Sequence, residues 1–277
     1  MAPTRRTAIA PRAGLAVALW CGLAAAACAQ PYPSVTPVPR TTDAAALHEL
    51  ARSREIDERI RIGFAAEQRG DWPAAAPEFE RVMALEPPEP QGSTALYDLA
   101  LAQAGTGSLD AAAASLRDAI ARDPGFLAAR ANLVGVELMR GDLPAARAAA
   151  DAFVAVAPAA ARALYARGLV ALRSGDAATA RRDFATLLSH DPAYAVGHYD
   201  LALAETQLGN LSEAERELRA ALGLAPEYAR ARVALGAVLL REGKRDEARS
   251  TFDEAARLAP DLALRNLAAS LRDAIAP

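Results

Sequence analysis

The chain has 277 residues, 52% hydrophobic, 5% aromatic and 23% charged, with a formal net charge of −3. Alanine dominates, with leucine, arginine and glutamate behind it. These are strong helix formers, and the aromatics are too few for a large aromatic-rich core. No block of one sign of charge stands out, which gives no argument for nucleic acid, and the sole lysine, Lys244, points to a GC-rich coding bias rather than an arginine-based binding surface.

Residues 1–29 read as a three-part export signal. Arg5, Arg6 and Arg12 form its positive part, with no acid before Asp43, so the rest of the chain is more acidic than the whole. Ala13 to Ala27 is an apolar stretch of about fifteen residues, right for a signal and short for a membrane span. Two ways of processing it stay open. Ala27-Cys28-Ala29 has the small-x-small pattern and would leave Gln30 as the new N-terminus. Ala25-Ala26-Ala27-Cys28 is similar to a bacterial lipobox, which implies acylation of Cys28, although leucine is preferred where Ala25 stands. The stretch 30–42, with Pro31, Pro33, Pro37 and Pro39, suits an extended tether. Cys21 is discarded with the signal and Cys28 is lipidated or discarded. The mature body then has no thiol for a disulfide, a redox motif or a thiolate metal site.

From residue 43 the pattern is helical. A short helix over 43–55, with Thr42 as its cap and Leu47 and Leu50 on its apolar side, leads into a repeat. Asp123-Pro124, Ala157-Pro158, Asp191-Pro192, Ala225-Pro226 and Ala259-Pro260 recur every 34 residues. Gly107, Gly141, Gly175, Gly209 and Gly243 keep the same step, as do Ala112, Ala146, Ala180, Ala214 and Ala248. Gly70, Ala75, Phe79 and Pro87 add a first unit, separated from the second by Pro90-Gln91-Gly92. Three series in one register define six units: 56–89, 93–126, 127–160, 161–194, 195–228 and 229–262. Each predicts two antiparallel helices, the first stopped by glycine and the second ended before proline. Asp110, Ser212 and Asp246 are expected to cap the second helices, and Pro144 takes an early position where proline is tolerated. Residues 263–277 predict a terminal capping helix with Leu264, Leu267, Leu271 and Ile275 on one stripe, and Arg265, Arg272 and Asp273 on other faces.

This grammar resembles the tetratricopeptide repeat family over about three quarters of the chain. The fifth unit carries the pattern as His198, Leu201, Ala202, Gly209, Ala214, Leu218, Ala221 and Pro226. The sixth carries it as Leu235, Gly236, Gly243, Ala248, Phe252, Ala255 and Pro260. Two departures stand out. The third unit exchanges sizes, with Ala150 where a large residue is usual and Phe153 where alanine is usual. Pro77 lies early in the second helix of the first unit, where it can fray or bend that end.

The resemblance implies an all-α fold, a right-handed solenoid of six helix-turn-helix units, with the first helix of each unit lining a concave face. In the family the second, fifth, sixth, ninth and twelfth positions of that helix point to the ligand. Here they include Arg162 and Arg230 at the second; Tyr97, Tyr165, Tyr199 and Val233 at the fifth; Asp98, Asn132 and Asp200 at the sixth; and Phe64, Leu101, Leu169 and Leu203 at the ninth. The implied groove is an aromatic and aliphatic trough with scattered polar groups, and tyrosine and arginine are frequent binding hot spots. The leucines could equally complete packing between units. The family mode that clamps a C-terminal carboxylate needs lysines on this face, and only Asn132 fits that type.

No chemistry stands out. His48, His190 and His198 are scattered, and none has a second histidine at metal spacing. The glycines act as helix stops and form no phosphate loop, and Gly-x-Ser-x-Gly is absent. Glu213, Glu215 and Glu217 read as a solvated helix face. The expectation is a non-enzymatic scaffold without a cofactor or metal, binding a protein partner in the bacterial envelope, in the periplasm or anchored on the periplasmic face of the outer membrane. Exported repeat proteins of this kind also resemble pilotins and assembly factors for pili or secretion pores, and an accessory role in an envelope enzyme complex is a further alternative. The mass of the mature N-terminus separates the two processing routes. A diacyl or triacyl adduct on Cys28 is expected for the anchored form, and an unmodified Gln30 start rules it out.

Overall fold

A computed structural model describes residues 43–275. Residues 1–29, expected as an export segment, with Cys28, the expected tether 30–42 and the expected cap Thr42 lie outside the described residues. Among the described residues there are thirteen α-helices and no strand. They run as pairs: α1 (Ala44–Gln68) and α2 (Trp72–Ala84), α3 (Gln91–Gly105) and α4 (Leu109–Arg122), α5 (Leu127–Arg140) and α6 (Leu143–Val156), α7 (Ala161–Arg173) and α8 (Ala177–His190), α9 (Ala195–Leu208) and α10 (Leu211–Leu224), α11 (Ala229–Arg241) and α12 (Arg245–Leu258), closed by α13 (Leu262–Asp273). The chain divides into two compact units at Ala149 and Ala150, inside α6.

In the first unit each helix from α1 to α5 packs on the next, and α1 also touches α3. In the second unit the same holds from α7 to α13, with α7 touching α9, α9 touching α11, and α11 touching α13. Within each unit, first helices of neighbouring repeats therefore touch one another, with the second helices between them in sequence packed on both. The leading helix and the first helix of repeat one are a single helix, α1. Asp43 caps it, accepting from the Ala45 amide at 3.0 Å.

The turn inside each repeat explains its glycine. Gly209 ends α9 with φ 82°, a left-handed conformation that costs a side-chain-bearing residue about 1–2 kcal/mol. It lets the Asn210 amide reach back to the Glu205 carbonyl at 2.9 Å, closing the helix end. The other five repeat glycines share the positive φ, and the same bond is made by Asp71, Ser108, Asp142, Asp176 and Lys244. These residues, and not Asp110, Ser212 and Asp246, open the second helices. Asp71, Asp142 and Asp176 accept from the amides of Ala74, Ala145 and Thr179. Asp110 and Asp246 fall inside the first turn, where their charge favours the positive end of the helix without closing an amide. Pro77 leaves α2 continuous to Ala84, although it removes the amide that would bond one turn back.

The two helices of a repeat meet through one size-matched pair. The eighth position of the first helix faces the bulky residue of the second. A Cβ on Gly63 would lie 2.9 Å from Phe79, on Gly168 2.6 Å from Phe184, and on Gly236 2.6 Å from Phe252. Where the second helix carries the smaller Leu116 or Leu218, the first carries Ala100 or Ala202. The third repeat has Val134 and Ala150 at these places, with Phe153 also buried, so its exchanged sizes are absorbed. In the capping helix the buried stripe is Ala268 and Ile275 with the part-buried Leu264 and Leu271. Leu267 is exposed instead, because a turn of 3.6 residues carries the stripe from 264 to 268.

The pairing predicts a compensated double mutant. Gly168→Ala gains helix propensity but drives its methyl into Phe184, for a net loss of about 1–2 kcal/mol. Adding Phe184→Leu recreates the Ala202 and Leu218 pair and should restore part of the urea midpoint. If the double variant is less stable than either single one, the pair is not what sets the helix separation.

Candidate functional site

The layer of first helices carries aromatic pairs that repeat with the fold. The fifth residue of a repeat meets an aromatic at its last position, just before the next first helix. Tyr97 lies 5.0 Å from Phe126 between ring centroids, Tyr165 5.8 Å from Tyr194 in an edge-to-face arrangement, and Tyr199 5.1 Å from Tyr228. Such geometry suits the quadrupoles of the two rings. Phe126, Tyr194 and Tyr228 each sit at the N-terminal boundary of a first helix. Sequence reasoning passed over these three, although they keep the 34-residue register and stand 29 residues after their tyrosines.

The structure distributes the residues expected on this face unevenly. In the first unit Tyr97, Asp98 and Asn132 are buried, and the Asn132 amide donates to the Tyr97 hydroxyl at 3.0 Å. Phe64 is exposed, and Leu101 packs half-buried on the core of its unit. In the second unit Asp200 is buried, and Tyr165, Tyr199, Leu169, Leu203 and Arg162 are half-buried. Leu169 packs on the core around Phe184, as the packing alternative for the leucines requires. Arg230 is exposed.

Two points on this layer hold carboxylates without full pairing. In the first unit, burial lifts Glu67 to about 7, and its Oε1 has no hydrogen-bond partner. Burial, and then the charge of Glu67, push Asp98 well above the usual carboxylate range. In the second unit, burial raises Asp200 from 3.8 to about 7, with the Tyr165 hydroxyl and the charge of Arg173 opposing the rise. Its Oδ2 is buried and accepts no bond. Burial also raises Tyr165, Tyr194, Tyr199 and Tyr228, and the charge of Asp200 contributes at all four.

Among the other buried carboxylates, Glu205 accepts from the Asn210 side-chain amide at 2.7 Å, and Glu137 and Asp183 are closed ion pairs. Glu137 is held by Arg117 and Arg140, and Arg140 also reaches Asp110. Asp183 receives both Arg167 donors, at 2.7 and 2.8 Å. The acidic face expected at Glu213, Glu215 and Glu217 is only partly solvated. Glu215 bonds Lys244 at 2.6 Å and Arg219, and Glu217 meets His198 at 2.6 Å. Arg219 is one turn along the same helix, but Lys244 and His198 come from outside it, which a reading of one helix face cannot show. His198 Nε2 contacts the Pro192 carbonyl at 3.0 Å, so both ring nitrogens are engaged. Arg130 and Arg232, at the same place in their repeats, reach back to Pro124 and Pro226 in the same way. No group of three or more metal-ligating side chains occurs among the described residues.

A tetratricopeptide repeat model matches residues 61–125, 136–195 and 199–263, more than half of the chain, and a second model of the same description matches 171–222. The chain belongs to the tetratricopeptide repeat family. Tetratricopeptide domains bind protein partners and generally serve as scaffolds. No curated protein matches this chain in sequence. Solved structures that it resembles include PilF of Pseudomonas aeruginosa, at 18% identity over 79% of this chain and 99% of that one, with a TM-score of 0.62. A tetratricopeptide repeat protein of Parabacteroides merdae matches at 18% identity over 79% and 99%, with a TM-score of 0.58. MamA of Desulfovibrio magneticus matches at 20% identity over 60% and 94%, with a TM-score of 0.56. At these identities the likeness is one of fold, an all-α tetratricopeptide solenoid.

The raised Asp200 gives a pH-dependent signature for this tetratricopeptide face. A carboxyl with a higher pKa in the folded state binds its proton more tightly when folded. Its favourable contribution is full below the unfolded value and is lost as pH rises through about 7. Asp200→Asn should therefore gain stability over the parent chain as pH rises, the gap widening by roughly 2–3 kcal/mol between pH 5 and pH 8. Urea unfolding at the two pH values reads it, and a gap that stays constant contradicts a buried, unpaired carboxyl.

Proposed function

We propose that this chain is a non-catalytic scaffold of the bacterial cell envelope, holding an extended segment or a helix of a protein partner against its first helices. The observation that carries the reading is the aromatic pairing at Tyr165 with Tyr194 and Tyr199 with Tyr228. These four large side chains are half-buried on one layer, beside polar groups that can fix a partner's register. Tyrosine combines contact area with a hydrogen-bonding hydroxyl at small entropic cost, so such pairs suit binding better than packing alone. The envelope location rests on the N-terminal segment, with Arg5, Arg6 and Arg12 ahead of an apolar stretch that ends at Cys28. With Cys28 acylated, the tether from 30 to 42 leaves the repeats free to reach a partner near the membrane.

Capture of partners from solubilised envelope tests the reading. The full chain should recover a defined protein, and Tyr165→Ala with Tyr199→Ala should weaken that capture by roughly 30-fold or more. Circular dichroism confirms that the variant keeps its helices. Equal recovery by both forms removes the first-helix face from the function.

A further inference from the structure

We propose that Asp200 and the four tyrosines around it form a receptor for a basic side chain, a lysine or arginine of the bound partner. Asp200 is only 5% exposed, and its Oδ2 has no hydrogen-bond partner. A buried carboxylate oxygen without a donor is costly to keep unless something supplies one. The side chains that share its field are Tyr165 and Tyr194 on one side of the repeat boundary and Tyr199 and Tyr228 on the other. Tyrosine rings attract cations over their faces, so four tyrosines within electrostatic reach of one buried carboxylate favour a positive guest over a neutral donor. Two arginines lie within electrostatic reach and neither fills the place. Arg173 favours the ionised form of Asp200, and the charge of Arg230 is felt at Tyr199 and Tyr228. Both are exposed, and no bond reaches Oδ2. Oδ2 is closed to solvent, so an incoming cation must displace neighbouring side chains, and the signals of the nearby tyrosines report its arrival.

The inference deepens the scaffold reading and rests on it, since it names the chemistry that one part of the face selects. The test uses the full chain at about pH 8, with n-butylammonium and N-methylguanidinium chloride as probes for lysine and arginine, and n-butanol as the neutral counterpart. The carboxyl 13C resonance of Asp200, assigned by its loss in Asp200→Asn, and the tyrosine ring signals should shift and saturate with at least one cation. n-Butanol should leave the carboxyl unmoved. Asp200→Asn should weaken binding of that cation by about ten- to a hundredfold. Its expected gain in stability at this pH keeps unfolding from mimicking the loss. A response that never saturates and follows ionic strength alone, or one that Asp200→Asn leaves intact, overturns the proposal. Partner capture separates this inference from the reading beneath it. If the double tyrosine variant loses the partner while Asp200→Asn holds it undiminished, the scaffold stands and the basic-side-chain receptor falls.

Discussion

The contact between the eighth residue of the first helix and the bulky residue of the second sets the distance at which each pair of helices packs. Everything else in a repeat follows from that distance. A phenylalanine lying across a glycine brings the helix axes close enough for Ala75, Ala180 or Ala248 to bury completely. A leucine across an alanine reaches a similar separation with the volume moved to the other side. Close packing then fixes where the turn must reverse the chain, and the reversal needs a residue that accepts a positive φ. The periodic glycines, alanines and aromatics are thus three parts of one constraint. Interiors are packed too densely for one of them to change without the others.

That constraint fixes the residues through which each first helix meets its own second helix, and it leaves the fifth and last positions of the repeat free to vary, even where the fifth residue packs on the same core, as Tyr165 does against Phe184. The aromatic pairs Tyr97 with Phe126, Tyr165 with Tyr194 and Tyr199 with Tyr228 occupy these freer positions. They are absent from the first, third and sixth repeats, where Ile60 and Glu89, Ala131 and Ala160, or Val233 and Leu262 take the two places. A feature required for packing would recur in all six repeats, as the turn glycine does. One that recurs in half of them and uses amphipathic rings fits recognition better.

The fold was legible because the repeat presents the same local demand six times, so Gly, Ala and Pro stood out at fixed steps. Helix ends were less legible. Asp110, Ser212 and Asp246 look like caps in isolation, yet the residues that open these helices lie two earlier, set by the turn that follows the glycine. Leu267 was misplaced for a related reason, since leucine identity outweighed the helical angle that buries Ala268. On the layer of first helices, sequence spacing picked out the tyrosines at the fifth positions but not their ring partners Phe126, Tyr194 and Tyr228. Those sit in connections between helices, where no periodicity of one helix can flag them. The pairing of Glu215 and Glu217 across the fold was invisible as well, because Lys244 comes from the turn before α12 and His198 from α9.

Buried carboxylates divide the molecule more sharply than its hydrophobic pattern does. Glu137 and Asp183 are as thoroughly buried as any leucine, and each is closed by arginine. Removing a charge from water demands such closure, and the chain plainly can supply it, with an arginine one turn away or on the adjoining helix. Asp200 and Glu67 lack it, although arginine is abundant in the sequence and Arg173 lies near enough to Asp200 to influence its charge. The unpaired oxygens therefore do not reflect a shortage of partners. They lie in the layer of first helices, beside the tyrosines in the second unit and beside Asp98 in the first, where burial raises their proton affinity at some loss of stability. A site held open in this way favours whatever guest brings the missing positive charge. In the proposed receptor, stability gives way to recognition on the same helices that fix the fold.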